Sequence, residues 1–175
     1  MKRFMADAML GSLARWLRIL GFDAAYAGKM EDSEIVRMAR LSGRAVLTKD
    51  RRLVQRRALR DFRLIEAQSL DAQLLEVLDH FHLVVRPQLL FSRCLRCNVP
   101  LKDVPLDSVK GRVPEYVFQT RTRFSVCPRC RGIFWPGTHR DRMQRRIQQI
   151  LVRRISFHAP SGDPAADLPV RKMSV

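Results

Sequence analysis

The sequence predicts an α/β layer built on a mainly parallel sheet and followed by a small cysteine-bearing module. Three observations predict it. Through about residue 90, short apolar runs alternate with stretches of helical periodicity. Beyond that point the periodicity stops and four cysteines come as two Cys-x-x-Cys pairs, CLRC at 94–97 and CPRC at 127–130. A basic amphipathic stretch, RMQRRIQQILVRRI, follows them. A chain of 175 residues suits one domain of ordinary size, or one domain with an appendage.

Each element has its own signal. Residues 3–7 form a short apolar run ending at Asp7, and Leu10, Leu13, Ala14, Leu17 and Leu20 then recur at helical spacing up to Gly21. That is a strand, then a helix with a glycine stop. Trp16 reads as core, Arg18 as solvated surface, and Arg15 as either solvated surface or a contact for a polyanion. The FDAAYA segment is a weak strand. Asp32 precedes Ile35, Val36, Met38 and Ala39 and suits the N-cap of a helix ending near Gly43. Ala45 to Thr48 is the third strand, a basic helix runs from Arg51 to about Leu59, and a fourth strand passes through Phe62, Leu64 and Ile65. A helix from Ser69 to about Phe81 then buries Leu70, Leu74, Val77, Leu78 and Phe81. After residue 90 the stretch from Glu115 to Gln119 reads as β-like. The expected divisions are a sheet-and-helix domain over 1–90, a cysteine module over 91–136, a basic helix over 137–156 and a flexible tail over 157–175. Met143, Ile147, Ile150 and Leu151 make the apolar stripe of the basic helix.

Charge narrows the partners. The chain has 33 Lys+Arg against 17 Asp+Glu and a formal net charge of +16. Residues 1–90 carry 16 basic and 11 acidic groups, whereas residues 91–175 carry 17 and 6, so the second half is the more cationic. Nucleic acid is the first expected partner, because neutralising phosphates releases condensed counterions. The start lacks an apolar run suited to export, and no stretch approaches the roughly 20 apolar residues that span a bilayer. The expectation is a cytoplasmic protein that uses no membrane, where paired cysteines more often hold a metal than a disulfide.

Cys94, Cys97, Cys127 and Cys130 are expected to hold one zinc ion, with a redox pair or disulfides as the alternative. Two knuckles on facing turns suit a tetrahedral site, and the ion supplies folding free energy that so core-poor a segment lacks. Four sulfur ligands leave no position for water. Such a zinc is structural and does no catalysis.

The acids raise a different expectation. In a parallel α/β sheet, residues just past the carboxyl ends of strands face a common crevice, and Asp7 and Asp50 both hold that position. Asp32 and Glu34 open the helix that feeds strand three, on the same rim. Two carboxylates about 5 Å apart repel by roughly 3 kcal/mol at an effective dielectric near 20. A divalent cation relieves that cost, and oxygen ligands suit Mg²⁺ or Mn²⁺. Asp7 and Asp50 are then metal ligands, with Asp32 and Glu34 completing the catalytic set, and Lys49, Arg51 and Arg52 stand ready to hold a phosphate backbone over it. Each acid also has a plainer role open to it: Asp7, Asp32 and Asp50 as helix caps, Glu34 as a partner of a helix dipole.

Taken in order, ADAMLGSLARWLRILGFDAAY, DSEIVRMAR, AVLTKDRRL, CLRC, CPRC and FWPGTHRDRM closely resemble the Mut-seven C-terminal ribonuclease family, over about residues 1–150. The resemblance implies a PIN-like domain with a zinc ribbon, a metal-dependent nuclease acting on RNA, and a catalytic set falling on Asp7, Asp32 or Glu34, and Asp50. PIN domains usually carry a further acid after a later strand, and no position here clearly matches it. The expected function is a Mg²⁺- or Mn²⁺-dependent ribonuclease whose ribbon and basic helix hold RNA. The rivals are a non-catalytic zinc-ribbon protein that binds nucleic acid and a zinc-dependent redox or transfer protein.

Overall fold

A computed structural model describes residues 1–158 of the chain. Most of the tail expected over 157–175 lies outside the described residues. The first layer runs β1 (Arg3–Ala6), α1 (Gly11–Ile19), β2 (Asp23–Tyr26), α2 (Asp32–Ser42), β3 (Ala45–Thr48), α3 (Arg51–Val54), β4 (Phe62–Leu64) and α4 (Leu70–His80). The four strands form one sheet in the order β2-β1-β3-β4, with every pairing parallel. The expected α/β layer is thus present.

Alternation along the strands divides the core. Phe4 and Ala6 of β1, with Ala45 and Leu47 of β3, face one side, where Leu13 and Leu17 of α1 and Leu74, Val77 and Leu78 of α4 cover them. Met5 and Val46 face the other side, against Ile35, Val36 and Ala39 of α2 and Leu53 of α3. Both faces of the two central strands are buried, which is why those strands read as continuous apolar runs.

The second half adds a three-stranded antiparallel sheet, β5 (Lys102–Val104), β6 (Phe124–Val126) and β7 (Ile133–Phe134), in that order. Its small core is Val109, Val117 and Phe124. The long helix α6 (Thr138–His158) then returns to the first layer. Ile147 and Ile150 join the larger core, and Arg154 donates to Asp79 and to the carbonyls of Leu78 and Leu83.

Two elements differ from the sequence reading. Residues Glu115–Thr120 form a helix, α5, where a β-like stretch was expected. Pro114 pre-sets its entry, Gln119 donates to Glu115 one turn back at 2.9 Å, and Val117 turns into the ribbon core, so local bonds outweigh the aromatic and β-branched composition. Helix α3 ends at Val54 and not near Leu59. It buries one residue, Leu53, too little to hold a longer helix through the like charges of Arg51, Arg52, Arg56 and Arg57.

Gly21 closes α1 with φ of 91° and packs on the segment that leads to the ribbon. A Cβ there would stand 2.5 Å from the Leu89 carbonyl oxygen. Gly21→Ala is therefore expected to destabilise the fold by about 1–3 kcal/mol, read as a lower urea midpoint. An unchanged midpoint would mean this contact is dispensable.

Candidate active site and metal centre

Thr48, the last residue of β3, organises the carboxyl end of the sheet. It is fully buried, its hydroxyl donates to Asp7 Oδ2, and the Asp50 backbone N–H donates to the same hydroxyl oxygen at 2.8 Å. The parallel pairing of β1 with β3 puts Asp7, one residue past β1, beside the β3 terminus, where its own N–H bonds to the Leu47 carbonyl at 3.0 Å. One hydroxyl thus joins the Asp7 carboxylate to the backbone of Asp50. Asp7 is 6 % exposed and accepts two further bonds, from Met9 N–H to Oδ1 at 3.0 Å and from Lys49 N–H to Oδ2 at 3.1 Å. A carboxylate has about four acceptor sites. Three are filled by the protein and one is left. Asp50 is half-buried and takes the Arg52 N–H on Oδ1 at 2.7 Å, so it does cap α3.

The other two acids open α2. Asp32 is the first residue of α2; Glu31 holds the N-cap position, without a side-chain cap bond, and Asp32 pairs with Arg56 at 3.2 Å. Glu34 is exposed on the same first turn. Among the described residues no three acids gather their oxygens within 4.8 Å of one another. A cation here would therefore take fewer than three of these carboxylates.

Basic residues adjoin Asp50 in the chain. Arg51 and Arg52 are exposed at the start of α3, and Lys49 Nζ reaches Gln68 Oε1 at 3.2 Å. Lys49, Arg51, Met9, Glu66 and Gln68 line a groove of about 460 Å³ along this rim. Arg15 is exposed on α1 and does not line it. Glu66, two residues past β4, is an acid on the rim that sequence reasoning passed over. Its signal was weak, because the strand before it is only three residues long. Thr48 was passed over as well. A threonine closing an apolar run looks like strand, and nothing in the sequence shows that its hydroxyl is bonded twice.

The cysteines form the second site. The Sγ atoms of Cys94, Cys97, Cys127 and Cys130 all lie within 4.8 Å of one another, the one such group of three or more potential ligands among the described residues. Cys94 and Cys130 are 3.8 Å apart, nearly twice a disulfide length. Zn–S bonds near 2.3 Å in a tetrahedron place neighbouring sulfurs about 3.8 Å apart, so the set fits zinc. The two knuckles have the same turn geometry. Cys97 N–H donates to Cys94 Sγ and Cys130 N–H to Cys127 Sγ, each at 3.4 Å, and the next residues, Asn98 and Arg131, both take positive φ. Burial pushes the Cys94 thiol up. Burial and the bonds to its three neighbours push Cys97 up to about 12, whereas at Cys127 the N–H groups of Cys130 and Arg129 outweigh burial and bring it down to about 7. Thiols packed this closely cannot all ionise without a cation among them.

The ribbon is bonded to the layer at the start of β2. Arg18, read from sequence as solvated, is 7 % exposed; Nε donates to the Ala24 carbonyl at 2.7 Å and Nη1 to the Leu95 carbonyl, inside the first knuckle, at 2.6 Å. The correction has a simple cause: the guanidinium finds two carbonyl acceptors and so tolerates burial. Asn98 Oδ1 accepts from Ala24 N–H at 3.0 Å and its Nδ2 donates to Asp23 at 2.6 Å. Burial raises the Asp23 pKa, but the bonds from Arg44 and Asn98 and the charge of Arg44 outweigh it and hold this carboxyl below its ordinary range.

A parallel sheet with Asp7 and Asp50 past its carboxyl ends, followed by a module that gathers four cysteines, defines an α/β domain with a cysteine ribbon. The comparisons make this specific: the model of the Mut7-C RNAse domain matches residues 2–147, and the chain belongs to that family. The chain is also similar to the Exonuclease mut-7 homolog of Homo sapiens, with 37 % identity over 101 residues. That match covers 55 % of this chain and 12 % of the human protein, so the chain spans a small part of that relative's length. No solved structure matches. Among the described residues no helix is long and apolar enough to cross a membrane.

Proposed function

We propose that this chain is a metal-dependent ribonuclease that cuts RNA phosphodiester bonds at the Asp7–Asp50 rim. The observation that carries the reading is the Asp7 carboxylate, buried at the carboxyl end of the sheet and bonded through the Thr48 hydroxyl to the backbone N–H of Asp50. Asp7 and Asp50 hold Mg²⁺ or Mn²⁺, and Asp32 and Glu34 complete the negative rim. When bound, the ion activates water and stabilises the leaving oxygen. Lys49, Arg51 and Arg52 hold the RNA backbone, and Arg15 extends the cationic surface. The cysteines bind zinc, which is structural, and the protein works in the cytoplasm. Support comes from the family, from the relative's name as an exonuclease, and from the cationic groove beside the acids.

One observation favours the rival reading of a non-catalytic zinc-ribbon protein that binds nucleic acid. Three of Asp7's acceptor sites are already filled by the protein, as a purely structural carboxylate would require. Zinc-loaded protein incubated with end-labelled single-stranded RNA separates the two. Cleavage is expected with added Mg²⁺ or Mn²⁺ and not in their absence. Binding without cleavage under any metal would leave the rival standing.

A further inference from the structure

We infer that the cleft between the ribbon and the start of α6 is a second nucleic-acid site, one that takes the unpaired bases of a single strand. The inference rests on the ribonuclease reading for the identity of its ligand. The cleft has a volume of about 820 Å³ and shares no lining residue with the acidic rim. That volume lies within the range of ordinary ligand pockets.

Its walls combine aromatic faces with cations. Phe91, Phe134 and Trp135 line it, and Phe124, 3 % exposed, backs Trp135 with ring centroids 6.4 Å apart. Trp135 is itself 36 % exposed, a large apolar ring left open on a module that has little core to spare. Arg140 stands over Phe91 with its guanidinium carbon 4.7 Å from the ring centroid. Arg123 and His139 line the cleft, both exposed and, among the described residues, outside any ion pair. The one carboxylate in the lining, Asp103, accepts from Ser125 Oγ at 2.7 Å. The balance of charge therefore favours an anion. Cations along a groove with aromatic rings between them are what single-strand sites use, because every base offers a π face that a duplex hides.

The wall is also fixed in advance. Phe91 N–H bonds to the Ile19 carbonyl at 2.8 Å, and Arg93 bonds to the carbonyls of Gly21 and Asn98 at 3.1 and 2.7 Å. These contacts place it where α1 ends and β2 begins, whereas Asp7 lies past the far end of β1. Four strand residues separate those ends by about 13 Å. A strand held in the cleft and cut at the acids must span that distance.

The test uses full-length zinc-loaded protein with no added Mg²⁺ or Mn²⁺ and three fluorescent probes of about twelve nucleotides: oligouridine, an abasic strand of equal length, and an RNA duplex. Trp135→Ala is expected to weaken oligouridine binding about tenfold and leave the abasic strand unaffected, with Trp135→Phe restoring most of the loss. If Trp135→Ala loses its zinc, Arg123→Ala gives the second reading. It should weaken both single strands and lower the salt slope by about one. Wild-type affinity for oligouridine in Trp135→Ala, or in Arg123→Ala, overturns the cleft and leaves the acidic rim standing. Failure of the wild type to bind any probe overturns the cleft and the ribonuclease reading together. A dimer in sedimentation that Trp135→Ala dissolves, with oligouridine binding unchanged, assigns the cleft to a second copy of the chain and overturns the inference.

Discussion

Asp50→Asn is expected to lower the rate of RNA cleavage about 100-fold or more while leaving RNA binding intact. The amide keeps the shape of the side chain, and its oxygen still accepts the Arg52 N–H that Asp50 Oδ1 accepts now. What disappears is one of the two negative charges that the proposed function assigns to the cation. A 100-fold loss corresponds to about 2.7 kcal/mol of transition-state stabilisation. Binding should hold or rise slightly, since one fewer anion opposes the phosphates beside Arg51 and Arg52. Single-turnover cleavage with protein in excess reads the first effect and anisotropy of the same RNA reads the second. Undiminished cleavage by this variant would remove Asp50 from the reaction. Asp7→Asn is a poorer probe, because an amide at that buried position must face the N–H groups of Met9 and Lys49 and the Thr48 hydroxyl.

The largest effect on stability is expected from Cys94→Ser. Removing a ligand from a four-thiolate site removes the binding free energy that folds the ribbon, and structural zinc supplies about 10 kcal/mol or more in small peptides. The damage should also reach the first layer. Without the knuckle, the Arg18 guanidinium loses the Leu95 carbonyl, and Asp23 and Ala24 lose Asn98. A hydrogen bond to a charged group is worth about 1.5–3 kcal/mol, and Arg18 keeps only its bond to the Ala24 carbonyl. The variant is expected to contain no zinc, to melt well below the wild type, and to exchange the Ala24 amide hydrogen much faster. Wild-type protection at Ala24 in a zinc-free variant would show that knuckle and sheet hold independently.

The elements that were readable in advance are those where local signals and burial agree. Asp7 at the end of β1, Gly21 after α1, Gly43 with φ of 59° after α2, and the run Ala45–Thr48 all stand where periodicity and stop residues put them. The four cysteines were readable because ligand spacing is a short-range property. The failures lie where tertiary bonds decide. Glu115–Thr120 has strand-like composition but is set by Pro114 and by the ribbon core. Arg18 lies on a helix whose pattern suggests solvent, yet partners 6 and 77 residues away bury it. In the candidate site, the positions of Asp7 and Asp50 followed from topology. The ion pair of Asp32 with Arg56, the part played by Thr48 and the place of Glu66 depend on how loops settle on the rim, which no pattern along the chain encodes.

The bonds at Ala24 also guard the molecule against itself. β2 is the outermost strand on its side of the sheet, and the peptide groups it turns outward would otherwise invite pairing with a strand of another molecule. Asn98 occupies the outward N–H of Ala24 and Arg18 occupies its C=O, so two side chains seal the strand where a neighbour would add on. If the proposed zinc were withdrawn and Asn98 with it, the Ala24 N–H would open while Arg18, on α1, kept the C=O covered, leaving a chain half unsealed and readier to add a foreign strand at this margin.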